Sequence, residues 1–435
     1  MRIPLAVVFA ASLFCAPLAA GAADHYACDC DTGAATGCVP GDDANDGLSP
    51  ASPKKTIAAV RSAFAALSPG ESVLLCRGGA FAAVAGRWNN SRCTAAQPCS
   101  LGDYTPSWAG GGSAPKPRIW VREEMNFFNL EDGGDAEHEE GYTFRNLDLR
   151  FTLATTDANA FFLYNDIDDV TIEGVDIDGF AIGVHQADSN PCNASDPRCD
   201  GKNSRLTIRG CRFTNNSAMG YLGNGDGLTL EDSYFENNGS RAVFDHNIYV
   251  GGEGNHVVVR RNELYRSDLQ PDGSCAGVSL VVHGVHDDVL IENNLVREDV
   301  GKAGGGCWGI TVDPGYGGEV ESFRHVTIRG NVVRNVGNLG IGVASCTDCV
   351  IEDNEIIHEQ AFGQVGIAAP DRNRGGEDLA MARVTVRNNS ILFQREQQHR
   401  REPGRRGHRT RRGQQRGAAD PGRQLLRGQP AGSEL

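Results

Sequence analysis

Two side chains with acid–base capacity close two strand-like segments of similar pattern: His283 follows "VSLVV" and Asp313 follows "WGITV". A third segment, "NIYV", carries Tyr249. An imidazole beside a carboxylate can act as a general base with its orienting partner, or as an acid–base pair. A phenol can donate a proton or stack on a sugar ring. None of this happens unless the residues meet, so the elements that carry them decide the reading.

Those elements repeat. "YTFRNLDL" at Tyr142, "VTIEGVDI" at Val170, "LTIRGCRF" at Leu206, "LTLEDSYF" at Leu228 and "VVVRRNEL" at Val257 share one pattern. "VLIENNLV" at Val289, "VTIRGNVV" at Val326, "CVIEDNEI" at Cys349 and "VTVRNNSI" at Val384 continue it. The nine starts lie 22 to 37 residues apart, and no copy has a helical half. One such coil cannot bury its inward aliphatic side chains. Stacked coils ~4.8 Å apart bury a continuous core and pair each backbone group with the next coil. The pattern predicts an all-β parallel β-helix. Asn262, Asn294, Asn331, Asn354 and Asn389 share one register, a column that Ser233, Cys211, Val175 and Leu147 extend toward the N-terminus. This predicts an internal amide ladder, with Cys211 inward and unpaired.

A second strand recurs in most coils, as "FAIGVHQ", "GYLGNG", "NIYVGG", "VSLVVHG" and "WGITVDPG". Strict alternation sets Ile248 and Val250, Leu280 and Val282, and Ile310 and Val312 inward. It turns Tyr249, His283, Thr311 and Asp313 outward on three consecutive coils, with His185 and Tyr221 on the same face further along. Gly251 and Ala344 leave space on either side. The same parity points His246 inward as a hydrogen-bonded corner residue. Asp245 and Arg241, in the loop before it, reach toward the outer face, and Asp226 in "GNGDG" stands at its edge.

The repeats and the Asn column resemble the right-handed parallel β-helix proteins of the pectate-lyase-like superfamily, from about Tyr142 to Phe393. The leader "GDDANDGLSPASPKKTIAAV" also looks like that of many secreted bacterial β-helix proteins, where an amphipathic helix, here Thr56 to Leu67, covers the end of the stack. The resemblance implies a substrate groove along the second strand type and an extracellular, acidic polysaccharide as partner. Two reactions fit. A lyase needs a base, His283 or a cationic side chain, and a cation, Ca²⁺ or Arg, at the uronate carboxylate. An inverting glycosidase needs two carboxyls roughly 6.5–9.5 Å apart, Asp313 with Asp245 or Asp226. The paired-Asp signature of polygalacturonases is missing, and "DPGYGG" at Asp313 shares only its first two residues with the Asp-Pro-His-Asp stretch of alginate epimerases. The alternative is a non-catalytic glycan-binding or structural surface protein. Asp42, Asp43 and Asp46 in "GDDANDG" form a candidate Ca²⁺ loop, although Ala44 stands where an oxygen ligand is required.

Residues 1–23 read as a signal peptide: Arg2, an apolar run from Ile3 to Leu18, and a small-residue end at Ala20-Gly21-Ala22. The run is too short for a membrane span. Residues 24–140 form a cap and first coils, 141–394 the repeats, and 395–435 an Arg-rich tail. That tail holds eleven Arg and four acidic residues, net +7, against −22 for the 394 residues before it. It lacks apolar periodicity and follows an ordinary strand directly, as a frameshifted reading near residue 394 would; the rival readings are a disordered basic arm and a polyanion-binding tail. An acidic body argues against nucleic acid as a partner. Thirteen cysteines beyond the signal, with close pairs Cys93/Cys99 and Cys192/Cys199, suit an oxidising compartment, periplasmic or extracellular. The expected species is a secreted monomer.

Overall fold

A computed structural model describes residues 23–110, 113–132, 138–154, 157–188, 201–316, 319–360, 363–372 and 378–393. The segments read as signal peptide and Arg-rich tail, and the pair Cys192 and Cys199, lie outside them, apart from Ala23. The described strands form three parallel sheets of twelve, eleven and nine members. The nine sequence repeats are nine successive neighbours of the first sheet, from Glu139–Arg145 to Ala382–Arg387. Strands Asp24–Ala27, Ser72–Cys76 and Cys99–Tyr104 extend that sheet before them.

The inward aliphatics explain the stacking. Ile172, Ile208, Leu230, Val259, Ile291, Ile328 and Ile351 align in one register column. All are fully buried. Each contributes roughly 1.5–3 kcal/mol by leaving water. The amide ladder is also present. Asn262 donates from Nδ2 to Oδ1 of Asn294 at 3.0 Å, Asn294 to Asn331 at 3.0 Å, Asn331 to Asn354 at 3.0 Å and Asn354 to Asn389 at 2.9 Å. Ser233 and Cys211 continue it: the Ser233 amide donates to Asn262 and the Cys211 amide to Ser233 Oγ. Cys211 is buried and has no disulfide partner among the described residues.

Helix Ile57–Phe64, capped by Thr56 Oγ1 accepting from the Ala59 amide, buries Ile57, Val60 and Phe64. Phe64 packs on Trp88, Tyr142 and Phe144, which joins the helix to the core. It ends one turn short of Leu67. Disulfides join Cys28–Cys76, Cys30–Cys38, Cys93–Cys99, Cys275–Cys307 and Cys346–Cys349. No helix among the described residues is long and apolar enough to cross a membrane.

Candidate active site

The third sheet supports the site. Ile248, Leu280 and Ile310 pair in register, as do Val250, Val282 and Val312, and both columns are buried. Between them Tyr249, Val281 and Thr311 form an outward column. The parallel pairing continues past the strand ends: the His283 amide donates to the Val250 carbonyl and the Asp313 amide to that of Val282. His283, Thr311 and Asp313 therefore line one cavity of about 460 Å³. Tyr249 stands at its edge, its ring 5.4 Å from His246 and 5.6 Å from His283. A second cavity of about 330 Å³ lies beyond Tyr249 and Tyr316, lined also by His185, Asp188 and Asn224.

Each polar group in the first cavity has a definite partner. The Asp313 backbone carbonyl, an acceptor only, bonds Nδ1 of His283. Nδ1 therefore carries the proton, and Nε2 keeps a basic lone pair. The Asp313 carboxylate lies 4.0 Å from that Nδ1 and accepts from Arg372 at 2.7 Å. Arg372 arrives across the coil of Ala344, and its carbonyl accepts from Ser345 Oγ at 2.7 Å. Tyr249 and Tyr316 share a hydroxyl–hydroxyl bond. Burial raises both phenols' pKa, so both stay protonated at neutral pH. Glu321 accepts from the amides of Gly284, Gly315 and Tyr316 at 2.7, 2.7 and 2.8 Å, locking the loop over His283 to the corner after it. Burial still raises its pKa.

Several expectations need correction. Tyr221 pairs with Val184 and Ile248, so it lies in the inward column, fully buried, and its hydroxyl donates to Gln186. His185 keeps the outward face, in the register of Leu222 and so of Tyr249; the slip of one residue lies in the segment between them, where Leu222 takes the outward place expected of Tyr221 and Gly223. The glycine-rich "GYLGNG" carries no side-chain pattern to fix that register. His246 lines the cavity rather than the core. Alternation breaks because Asn247 also turns inward, where Asn238 donates to it at 2.9 Å and it donates to Ser279 at 3.2 Å. Nδ1 of His246 bonds the Val278 carbonyl at 3.0 Å, and burial pushes its pKa down to about 4.

Asp245 is fully buried and holds its own loop, accepting from the amides of Ser240 and Arg241 and from the Arg241 guanidinium. Neither Asp245 nor Arg241 lines the cavity. Asp226 accepts from the Asn255 amide and lines a separate pocket with His256, Asp287 and Asp288. Asp42, Asp43 and Asp46 do not converge. Asp42 caps the Ala44 amide, Asp46 that of Leu48, and Asp43 those of Lys55 and Thr56. Arg372, Tyr316, Glu321 and Trp308 complete the site without standing out in the sequence. The one available signal was an aromatic inside the glycine-rich "DPGYGG", directly after a strand that bears a candidate carboxylate.

No protein-family profile matches the chain, and no curated protein is significantly similar in sequence. Solved structures do match. A GH136 lacto-N-biosidase from Eubacterium ramulus aligns with TM-score 0.50 at 16% identity, over 85% of this chain and 68% of that one. The A-module of the mannuronan C-5 epimerase AlgE4 from Azotobacter vinelandii gives 0.40 at 16%, over 77% and 91%. A PL6 polysaccharide lyase from Pseudopedobacter saltans gives 0.42 at 11%, over 77% and 91%. Three long all-parallel sheets and the likeness to the lacto-N-biosidase agree: by fold, the chain is a right-handed parallel β-helix.

Proposed function

We propose that the protein is an exported lyase that cleaves a uronate-containing polysaccharide by β-elimination. One observation carries the choice. Among the described residues lining the cavity, Asp313 is the sole carboxylate, and it is engaged by Arg372. Inverting hydrolysis needs a second carboxyl roughly 6.5–9.5 Å away. Asp245 and Asp226 are committed elsewhere, and Glu321 is held by three amides. The groups that remain suit elimination.

The Arg372 guanidinium binds the uronate carboxylate and lowers the pKa of the adjacent C5 proton. It can fill the role that a Ca²⁺ ion would otherwise take. Nε2 of His283 takes that proton. The C4–O bond breaks, a C4=C5 double bond forms, and the leaving oxygen takes a proton from Tyr249, whose hydroxyl is held by Tyr316. Asp313 positions both the imidazole, through its carbonyl, and the guanidinium, through its carboxylate. The likeness to a lacto-N-biosidase agrees with a carbohydrate substrate. The disulfides and the signal-like leader agree with export.

Incubation with pectate, alginate and glycosaminoglycans tests this reading. New absorbance from an unsaturated uronate is the expected result. New reducing ends without it would mean hydrolysis, and binding without either would mean a glycan-binding protein.

A further inference from the structure

The cavity has a second, apolar half that elimination does not use. Val278, Val281 and Trp308 line it beside Gly305 and Gly306. Val281 is fully buried in the outward column, between Tyr249 and Thr311. At the mouth stands Val243, with φ +77°. A β-branched residue in that region is strained, at a cost of order 1–3 kcal/mol. The loop is held there nonetheless: the Val243 amide donates to Asp268 Oδ2 at 3.1 Å and to the Ala276 carbonyl at 3.1 Å. Asp245 ties down Ser240 and Arg241 just before it. Val243, 61% exposed, is thereby held at the rim of the cavity.

A second, independent feature faces the same space. Thr311 is 1% exposed, and its Oγ1 is buried without a hydrogen-bond partner among the described residues. Its methyl packs on Gly342 at the position a Cβ would take, 3.5 Å away. A buried hydroxyl left unpaired costs free energy until something pairs with it.

From the apolar wall and the orphan hydroxyl together we infer that this half of the cavity is an acyl pocket, which receives an acetyl group on the bound sugar chain. The methyl lies against Val243, Val278, Val281 and Trp308. The acetyl carbonyl accepts from Thr311 Oγ1. The group can arrive as the acetamide of an N-acetylhexosamine next to the uronate, or as an O-acetyl ester on the uronate itself. This rests on the cavity being the uronate site proposed above.

Calorimetric binding of two matched pairs to the full-length protein tests it: hyaluronan oligosaccharides before and after de-N-acetylation, and acetylated against deacetylated oligouronate. Burial of a methyl and one hydrogen bond predict binding about tenfold tighter for the acetylated member of one pair. The pair that discriminates names the source. Thr311→Val keeps the shape but removes the hydroxyl, and it should cut that advantage several-fold. Equal affinity within both pairs overturns the inference, as does no detectable binding of any member, or an advantage that Thr311→Val leaves intact. Discrimination without turnover would overturn the lyase reading and leave the acyl pocket standing.

Discussion

Gly315 is the most informative position to perturb. A Cβ built on it would lie 2.5 Å from Cε1, 2.6 Å from Nε2 and 2.8 Å from Cδ2 of His283. Ordinary carbon contacts begin near ~3.5 Å, so Gly315→Ala must drive the imidazole back by about 1 Å. That breaks the bond from Nδ1 to the Asp313 carbonyl and carries Nε2 away from a bound uronate. A displacement of this size at a reacting group costs about 10²-fold in rate, near 2.7 kcal/mol of barrier. Gly315 is exposed and does not need a left-handed backbone, so the fold should tolerate alanine. Gly363→Ala is the matched control, because a Cβ there meets nothing within 4 Å and the residue does not line the cavity. Initial rates of unsaturated-uronate formation, with a thermal melt of each variant, make the assay. The expected result is a fall near 10²-fold for Gly315→Ala, with both melting temperatures close to the parent. Full activity in Gly315→Ala would refute the assignment of His283 as the base.

Four further outcomes follow from the same geometry. Arg372→Ala should lower kcat by about 10²–10³-fold through loss of carboxylate stabilisation, and steady-state kinetics showing a change in KM alone would assign it to binding only. Tyr249→Phe should slow cleavage least on substrates with a good leaving group, since it removes only the proton donor; an equal loss on all substrates argues against that role. His246, whose pKa is held near 4 in the fold against ~6.5 unfolded, contributes stability that is complete above the unfolded value and is lost as pH falls toward 4, about 3 kcal/mol in all. Melting temperatures of His246→Gln should accordingly fall less steeply between these pH values than the parent's, and parallel curves would count against it. Asn331→Ala strands the Asn294 amides that donate to its Oδ1, and urea denaturation should show a loss of about 2–3 kcal/mol; a loss under 1 kcal/mol would mean the ladder is marginal.

The first sheet was legible in the sequence because its signal is redundant. Nine apolar pairs and five Asn in one register leave no competing alignment, and the structure pairs them as expected. The third sheet was legible only where both inward positions are branched aliphatics. That sufficed for Tyr249, His283, Thr311 and Asp313, which lie on three consecutive coils. It failed at "GYLGNG", where glycine leaves the register open and Tyr221 takes an inward place. It failed again at His246, because strict alternation does not allow two consecutive inward residues, and Asn247–Ile248 is such a pair. Arg372 could not be read. It lies 59 residues beyond Asp313 and reaches it from a loop two coils away. Asp245 and Arg241 were misjudged for a related reason. Their mutual bond and the amides of their own loop satisfy them locally, and sequence does not show where a loop's hydrogen bonds close.

The proposed elimination requires one arrangement: a uronate held by Arg372 with its C5 beneath His283. A crystal structure of His283→Ala with a bound uronate oligosaccharide tests it most directly. The expected result is a uronate carboxylate within ~3 Å of the Arg372 guanidinium and the glycosidic oxygen facing the Tyr249 hydroxyl. A chain seated in the Asp226, Asp287 and Asp288 pocket, or one whose carboxylate turns away from Arg372, would contradict it.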